Sequence, residues 1–199
     1  MLRGDPARDG LIGRGLLATL CVLALATAAG RAHADALDGA LAVRSAYVNI
    51  DHGVFLLHAR VEYPQGPAIR NALREGITLD FDLEVRIERE RHLWFNANIV
   101  ELTLPRQLSY HAVSDRYVVR DVRSGDQDTF ATLDEALEYL GKVDAWPVLV
   151  EPQLNGGNYT ISVRAGVRRG ELPASLRALM FWTNDWARQS EWYTWSLPV

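Results

Sequence analysis

The longest regular pattern in the chain spans 77–88, where Ile77, Leu79, Phe81, Leu83, Val85 and Ile87 alternate with Thr78, Asp80, Asp82, Glu84, Arg86 and Glu88. A period of two sends successive side chains to opposite faces, so this segment predicts a long strand with one buried and one polar face. Residues 41–50 and 54–63 predict two more strands, and Asp51-His52-Gly53 between them offers a glycine able to take positive φ in a short hairpin. In the second of these, Phe55, Leu57, Ala59, Val61 and Tyr63 share one face. Further strands are predicted over 93–104, 107–113, 117–123, 146–151 and 159–168, the last entered through Asn155-Gly156-Gly157-Asn158. About seven to nine strands separated by turn signals read as all-β, an immunoglobulin-like or related β-sandwich.

Two short helices interrupt this pattern. Residues 67–75 open on Pro67, carry Ile69, Ala72 and Leu73 on one face, and stop at Gly76, where a left-handed cap fits. Residues 132–140 pair Thr132 with Glu135 as a capping box. There Leu133, Ala136, Leu137 and Leu140 form an i, i+3, i+4, i+7 stripe, with Gly141 ending the helix. So short a helix needs packing for its stability, so the stripe is read as a core contact.

The amino end follows a different pattern. Arg3, Arg8 and Arg14 precede an apolar run over 16–29, and Arg31 leads into the small-x-small triplet Ala32-His33-Ala34. The run is shorter than the roughly 20 residues a permanent span needs, so 1–34 read as a secretory signal peptide cleaved after Ala34. Cys21 lies inside the run with too little hydrophobic sequence before it to be a lipid-attachment site. A single domain over 35–199 remains, with no stable membrane insertion after processing.

Composition narrows the functional classes. The 199 residues hold 21 basic and 25 acidic side chains. Removing 1–34 takes away four arginines and two aspartates, which makes the balance more acidic. No basic patch offers a phosphate backbone a surface, so nucleic acid is not an expected partner. The processed chain has no cysteine, which excludes thiol chemistry and cysteine metal sites, and its one lysine is Lys142. Trp182, Trp186, Trp192 and Trp195 crowd the carboxyl end, with Phe181 and Tyr193 among them. Indole rings could line a groove for a sugar, peptide or lipid, and these four are the candidate ligand- or partner-binding residues. The plainer reading is a closing strand that plugs the core.

Four features together resemble one family of exported proteobacterial proteins, domain-of-unknown-function family 4390. They are the leader followed by a hairpin; Phe130-x-Thr132-Leu133-x-Glu135-Ala136-Leu137-x-x-Leu140; Leu172-Pro173-x-x-Leu176-Arg177; and Trp186 with Ser190-x-Trp192-x-x-Trp195. The resemblance covers about the whole processed chain. It implies a small periplasmic β-rich protein, often encoded beside a membrane sensor kinase of the nitrogen-regulation type, and it supplies no catalytic residues.

A search for local chemistry returns none. His52, His58, His92 and His111 show neither His-x-x-x-His nor His-x-His spacing, and no His-Glu-x-x-His frame occurs. His52 falls in a turn, and His58 lies on the polar face with Arg60 and Glu62. Asp80, Asp82 and Glu84 line one strand face, where alternate residues stand roughly 6 to 7 Å apart. Such a row needs loop carbonyls to bind calcium and reads as a solvated acidic face. Asp126-Gln127-Asp128 lacks the later glutamate and the glycine of a calcium loop. No catalytic residue, metal ligand or cofactor is therefore expected. The expected function is a non-enzymatic periplasmic binding or accessory module that touches a membrane-protein ectodomain through a sheet edge or the tryptophan-rich end; the family resemblance implies an inner-membrane sensor kinase ectodomain as that partner. Two alternatives remain: a periplasmic hydrolase whose site is assembled by the fold, and a small outer-membrane β-barrel. Pro64, Pro105, Pro147 and Pro152 argue against the barrel, as does the capped helix.

Overall fold

β1 (Ala42–Asp51) and β2 (Val54–Glu62) form the hairpin expected around Gly53. His52 and Gly53 both adopt positive φ, 47° and 77°, which gives a two-residue turn whose twist matches the strands it joins. The computed structural model describes residues 37, 39–90, 97–150, 154, 157–170 and 187–197. The leader with Ala32 and Ala34, the loop bearing His92, and Trp182 and Trp186 lie outside the described residues.

After the hairpin come α1 (Pro67–Arg74), β3 (Leu79–Arg89), β4 (Ala97–His111), β5 (Arg116–Asp121) and β6 (Gln127–Phe130). The chain continues through α2 (Leu133–Gly141), β7 (Lys142–Val150), β8 (Tyr159–Arg169), β9 (Ala187–Gln189) and β10 (Tyr193–Leu197). The strands build two antiparallel sheets. The small one has the order β1-β2-β7, and the large one β10-β8-β3-β4-β5-β6, with β9 also paired to β8. The fold is thus an all-β sandwich, with two short helices among the described residues. Those residues form ten strands rather than seven to nine, because β6 and β9 are too short to show a period in sequence.

The alternation over 77–88 sets the core. Leu79, Phe81, Leu83, Val85 and Ile87 are all buried, and β8 beside them buries Tyr159, Ile161, Val163, Ala165 and Val167. Facing them across the sandwich are Phe55, Leu57, Ala59 and Val61 of β2, and the Tyr63 ring meets Phe81 edge-on with centroids 4.9 Å apart. Burial pushes the Tyr63 hydroxyl pKa well up from its ordinary value of 10.0. Apolar residues point inward and charged ones outward on the large sheet, and the two sheets remain separate. This is the reverse of a lipid-facing barrel wall.

Both helices follow their sequence signals. Gly76 takes φ +83°, and its N–H donates to the carbonyl of Leu73. Thr132 Oγ1 accepts from the Glu135 N–H, while Glu135 Oε2 accepts from the Thr132 N–H, so the capping box is complete. The stripe Leu133, Ala136, Leu137 and Leu140 is buried. Gly141 has a different role from the cap expected of it. It is the last helical residue, and a Cβ there would fall deep inside the contact radius of the Val61 carbonyl oxygen.

One expected break is absent, because 93–104 and 107–113 belong largely to a single strand, β4, which runs straight through Pro105. Pro105 sits opposite Asp82 of β3, and its carbonyl turns the other way to accept from Val122 N–H. The nitrogen of a strand residue points to the same side as its carbonyl. The missing N–H therefore faces the end of β5, where pairing stops at Arg106↔Asp121, and the ladder to β3 is left intact.

Candidate functional site

The outer face of the large sheet holds a ladder of paired charges. On β3 this face carries Asp80, Asp82, Glu84 and Arg86, and on β8 it carries Ser162, Arg164, Gly166 and Arg168. The register sets Asp80 opposite Arg168 and Glu84 opposite Arg164. Arg164 Nη2 donates to Glu84 Oε2 at 2.6 Å, and Arg168 reaches both Asp80 (3.3 Å) and Asp82 (3.1 Å). Gln107 donates to Asp80 and Gln189 to Glu84. Arg86 donates to Glu101, its cross-strand neighbour on β4. The expected solvated acidic face is therefore corrected. The side chains of Asp80, Asp82 and Glu84 are only 10%, 18% and 22% exposed, because arginines spaced like the acids cover them.

Trp192 completes this face. The guanidinium carbons of Arg164 and Arg86 lie 4.4 and 4.6 Å from its ring centroid. The indole therefore caps the ladder by cation–π contact. Trp195 is part of β10, opposite Ile161, and packs partly against the core with Tyr193 edge-on at 5.7 Å. Of the four tryptophans singled out from sequence, the described residues thus place one on the charged face and one at the core margin.

A hollow of about 470 Å³ opens beside this ladder, lined by Asp82, Glu84, Gly166, Arg168, Arg188 and Gln189 among others. Its carboxylates are engaged by arginines or Gln189. Arg188 points away to the inner side, donating to the carbonyls of Leu37 and Gly39. Another hollow, of about 120 Å³, gathers Asp121, Asp126 and Asp128 near Arg106 and Tyr139. There Asp121 is occupied by the N–H groups of Arg123 and Ser124, and Asp128 by the Tyr139 hydroxyl at 2.6 Å. That hydrogen bond raises the Tyr139 pKa. Among the described residues no group of three or more His, Cys, Asp or Glu could hold a metal ion.

The outer face of the small sheet centres on His58, whose side chain is 20% exposed. Its ring stacks on Tyr47 at 4.8 Å and 6°. Nδ1 accepts from the Ala145 N–H, which leaves Nε2 to donate to Asn49 Oδ1 at 2.8 Å. Ala145 holds a positive φ of 52° in doing so. Asp144 beside it takes Arg60 and Lys142, whose hydrogen bonds lower its carboxyl pKa. His58 is thus fixed on both ring nitrogens by partners within the fold. His52 stands exposed in its turn, and His111 ends β4 on the surface.

β1 is an edge strand paired only with β2, and its side chains Tyr47 and Ile50 are 57% and 51% exposed. Its first residues, Ala42 and Val43, with Leu41 before them, lie against Ser190–Tyr193 around a small hollow, whereas Ser45–Asp51 stay open along the edge. The sequence named a sheet edge as a contact surface without saying which strand. That choice depends on strand order, which no local pattern encodes.

These features define a β-sandwich with an internally paired charged face and an open neutral edge along β1. A family described as a domain of unknown function, DUF4390, matches residues 39–196, and the chain belongs to it. No curated protein and no solved structure matches the chain.

Proposed function

We propose that this chain is a non-enzymatic accessory module, exported by its 1–34 leader and processed after Ala34, that docks on the ectodomain of an inner-membrane protein through β1. The observation that carries this reading is the open edge Ser45–Asp51, with Tyr47 and Ile50 exposed beside unpaired main-chain groups. An extended segment of a partner adds to such an edge by main-chain hydrogen bonds, and side chains on alternate positions supply selectivity. Among the described residues, His58 is held by Asn49 and Ala145, and the β3 carboxylates by Arg164 and Arg168. A membrane sensor kinase is the partner the family resemblance suggests.

The test is site-specific photocrosslinking in intact cells, with a photoreactive residue at position 47 and a control at exposed Glu138 on α2, followed by mass spectrometry. The expected result is an inner-membrane protein captured from position 47 and absent from position 138. Equal capture from both positions, or none from position 47, contradicts the docking role.

A further inference from the structure

The open part of β1 is self-complementary. Ser45-Ala46-Tyr47-Val48-Asn49-Ile50 is a neutral run, bounded by Arg44 at one end and Asp51 at the other. Arg44 forms a bulge, marked by the register shift between Val43 and Ser45, and pairs with Glu62 while its side chain stays 59% exposed. Asp51 is 62% exposed. Bulges and terminal charges guard edge strands against indiscriminate pairing. Here the two charges have opposite sign, so they repel a parallel copy and attract an antiparallel one.

Face and size select a register. Tyr47 and Asn49 share the outer face with His58, while Ala46, Val48 and Ile50 turn inward opposite Ala59, Leu57 and Phe55. Antiparallel pairing must keep outer residues opposite outer ones, because a one-residue slip inverts every side chain. Centring on Val48 does this along the whole open run. It sets Tyr47 opposite Asn49 of the second copy, Ala46 opposite Ile50, and Ser45 opposite Asp51, with the bulged Arg44 beside that aspartate. The exposed Ile50 then meets the smallest side chain of the run, and each copy contributes one Arg44 and one Asp51 to two equivalent ion pairs. The two small sheets merge into one of six strands.

Building on the reading of β1 as a docking edge, we propose that two copies of this chain pair β1 to β1, antiparallel and centred on Val48, with a two-fold axis normal to the sheet. Such an isologous contact covers the edge when no other strand occupies it.

Sedimentation velocity at low salt, on the protein recovered from expressing cells, tests this with charge exchange. Wild type shows a concentration-dependent monomer–dimer equilibrium. Arg44→Glu and Asp51→Arg each turn both ion pairs repulsive and weaken the dimer by about tenfold or more. An equimolar mixture of the two single variants forms heterodimers, since one ion pair then keeps its native Arg44 and Asp51 and the other carries the same two charges exchanged, so both attract. The double variant regains the wild-type equilibrium, which separates a lost contact from a damaged fold. A monomer at every concentration reached, or single variants that dimerise as wild type does, overturns the proposal. If position 47 still captures an ectodomain in either case, self-pairing alone has failed. If it captures nothing, the docking reading has failed with it.

Discussion

Gly141 is required by space rather than by backbone angle. A Cβ at that position would collide with the Val61 carbonyl, a main-chain atom fixed in β2 that cannot rotate away. At Gly166, a Cβ would meet its nearest atoms at 3.8 to 4.0 Å, which is ordinary contact. Gly141→Ala is therefore expected to destabilise the fold by about 2 to 3 kcal/mol. Gly166→Ala should change it by no more than roughly 1 kcal/mol, with the sign set by relief of unfolded-chain entropy. Urea denaturation of both variants checks the contrast, and equal losses would contradict it. The capping box at Thr132 and Glu135 is readable in sequence because both partners lie within one turn. The requirement at Gly141 is not, since its constraint comes from Val61, eighty positions away. Legibility at this scale follows sequence distance.

At the scale of elements, periodicity locates the strands but leaves their neighbours open. Residues 77–88 read correctly as a half-buried strand, yet their acidic face is neutralised rather than solvated. The missing information is the register of β3 against β8. Asp80 and Glu84 are four apart, as are Arg164 and Arg168, so antiparallel pairing matches both at once. That equal spacing is the trace the sequence does carry, and it becomes useful only once the two strands are known to be adjacent. Burial also changes what the pairs are worth. Arg164 and Glu84 are each about a fifth exposed, whereas Arg44 and Glu62 are half exposed or nearly so. Double-mutant cycles should give a coupling of about 1 to 2 kcal/mol for Arg164–Glu84. For Arg44–Glu62 they should give roughly 0.5 kcal/mol or less. A larger value for the exposed pair would mean that the ladder does not stabilise the face. Trp192 fits the same logic, because its role depends on arginines of β3 and β8 that only the sheet order brings beneath it.

The whole molecule joins a closed polar face to an open edge. Its sandwich class is legible because inward apolar alternation over β2, β3 and β8 defines two layers with one core between them. That β1 lies at an edge of the small sheet is not legible. It follows from β7 leaving α2 and crossing to pair with β2, which makes β1 terminal in the small sheet. The central claim is that this edge, and not the tryptophan-bearing face, is where a partner binds. Hydrogen–deuterium exchange on the purified protein, alone and with the ectodomain captured from position 47, tests it most directly. The account predicts that amides across Ser45–Asp51 gain protection on binding, while those of β10 around Trp195 stay unchanged. Protection confined to the β10 end, with β1 exchanging as in the free protein, would contradict it.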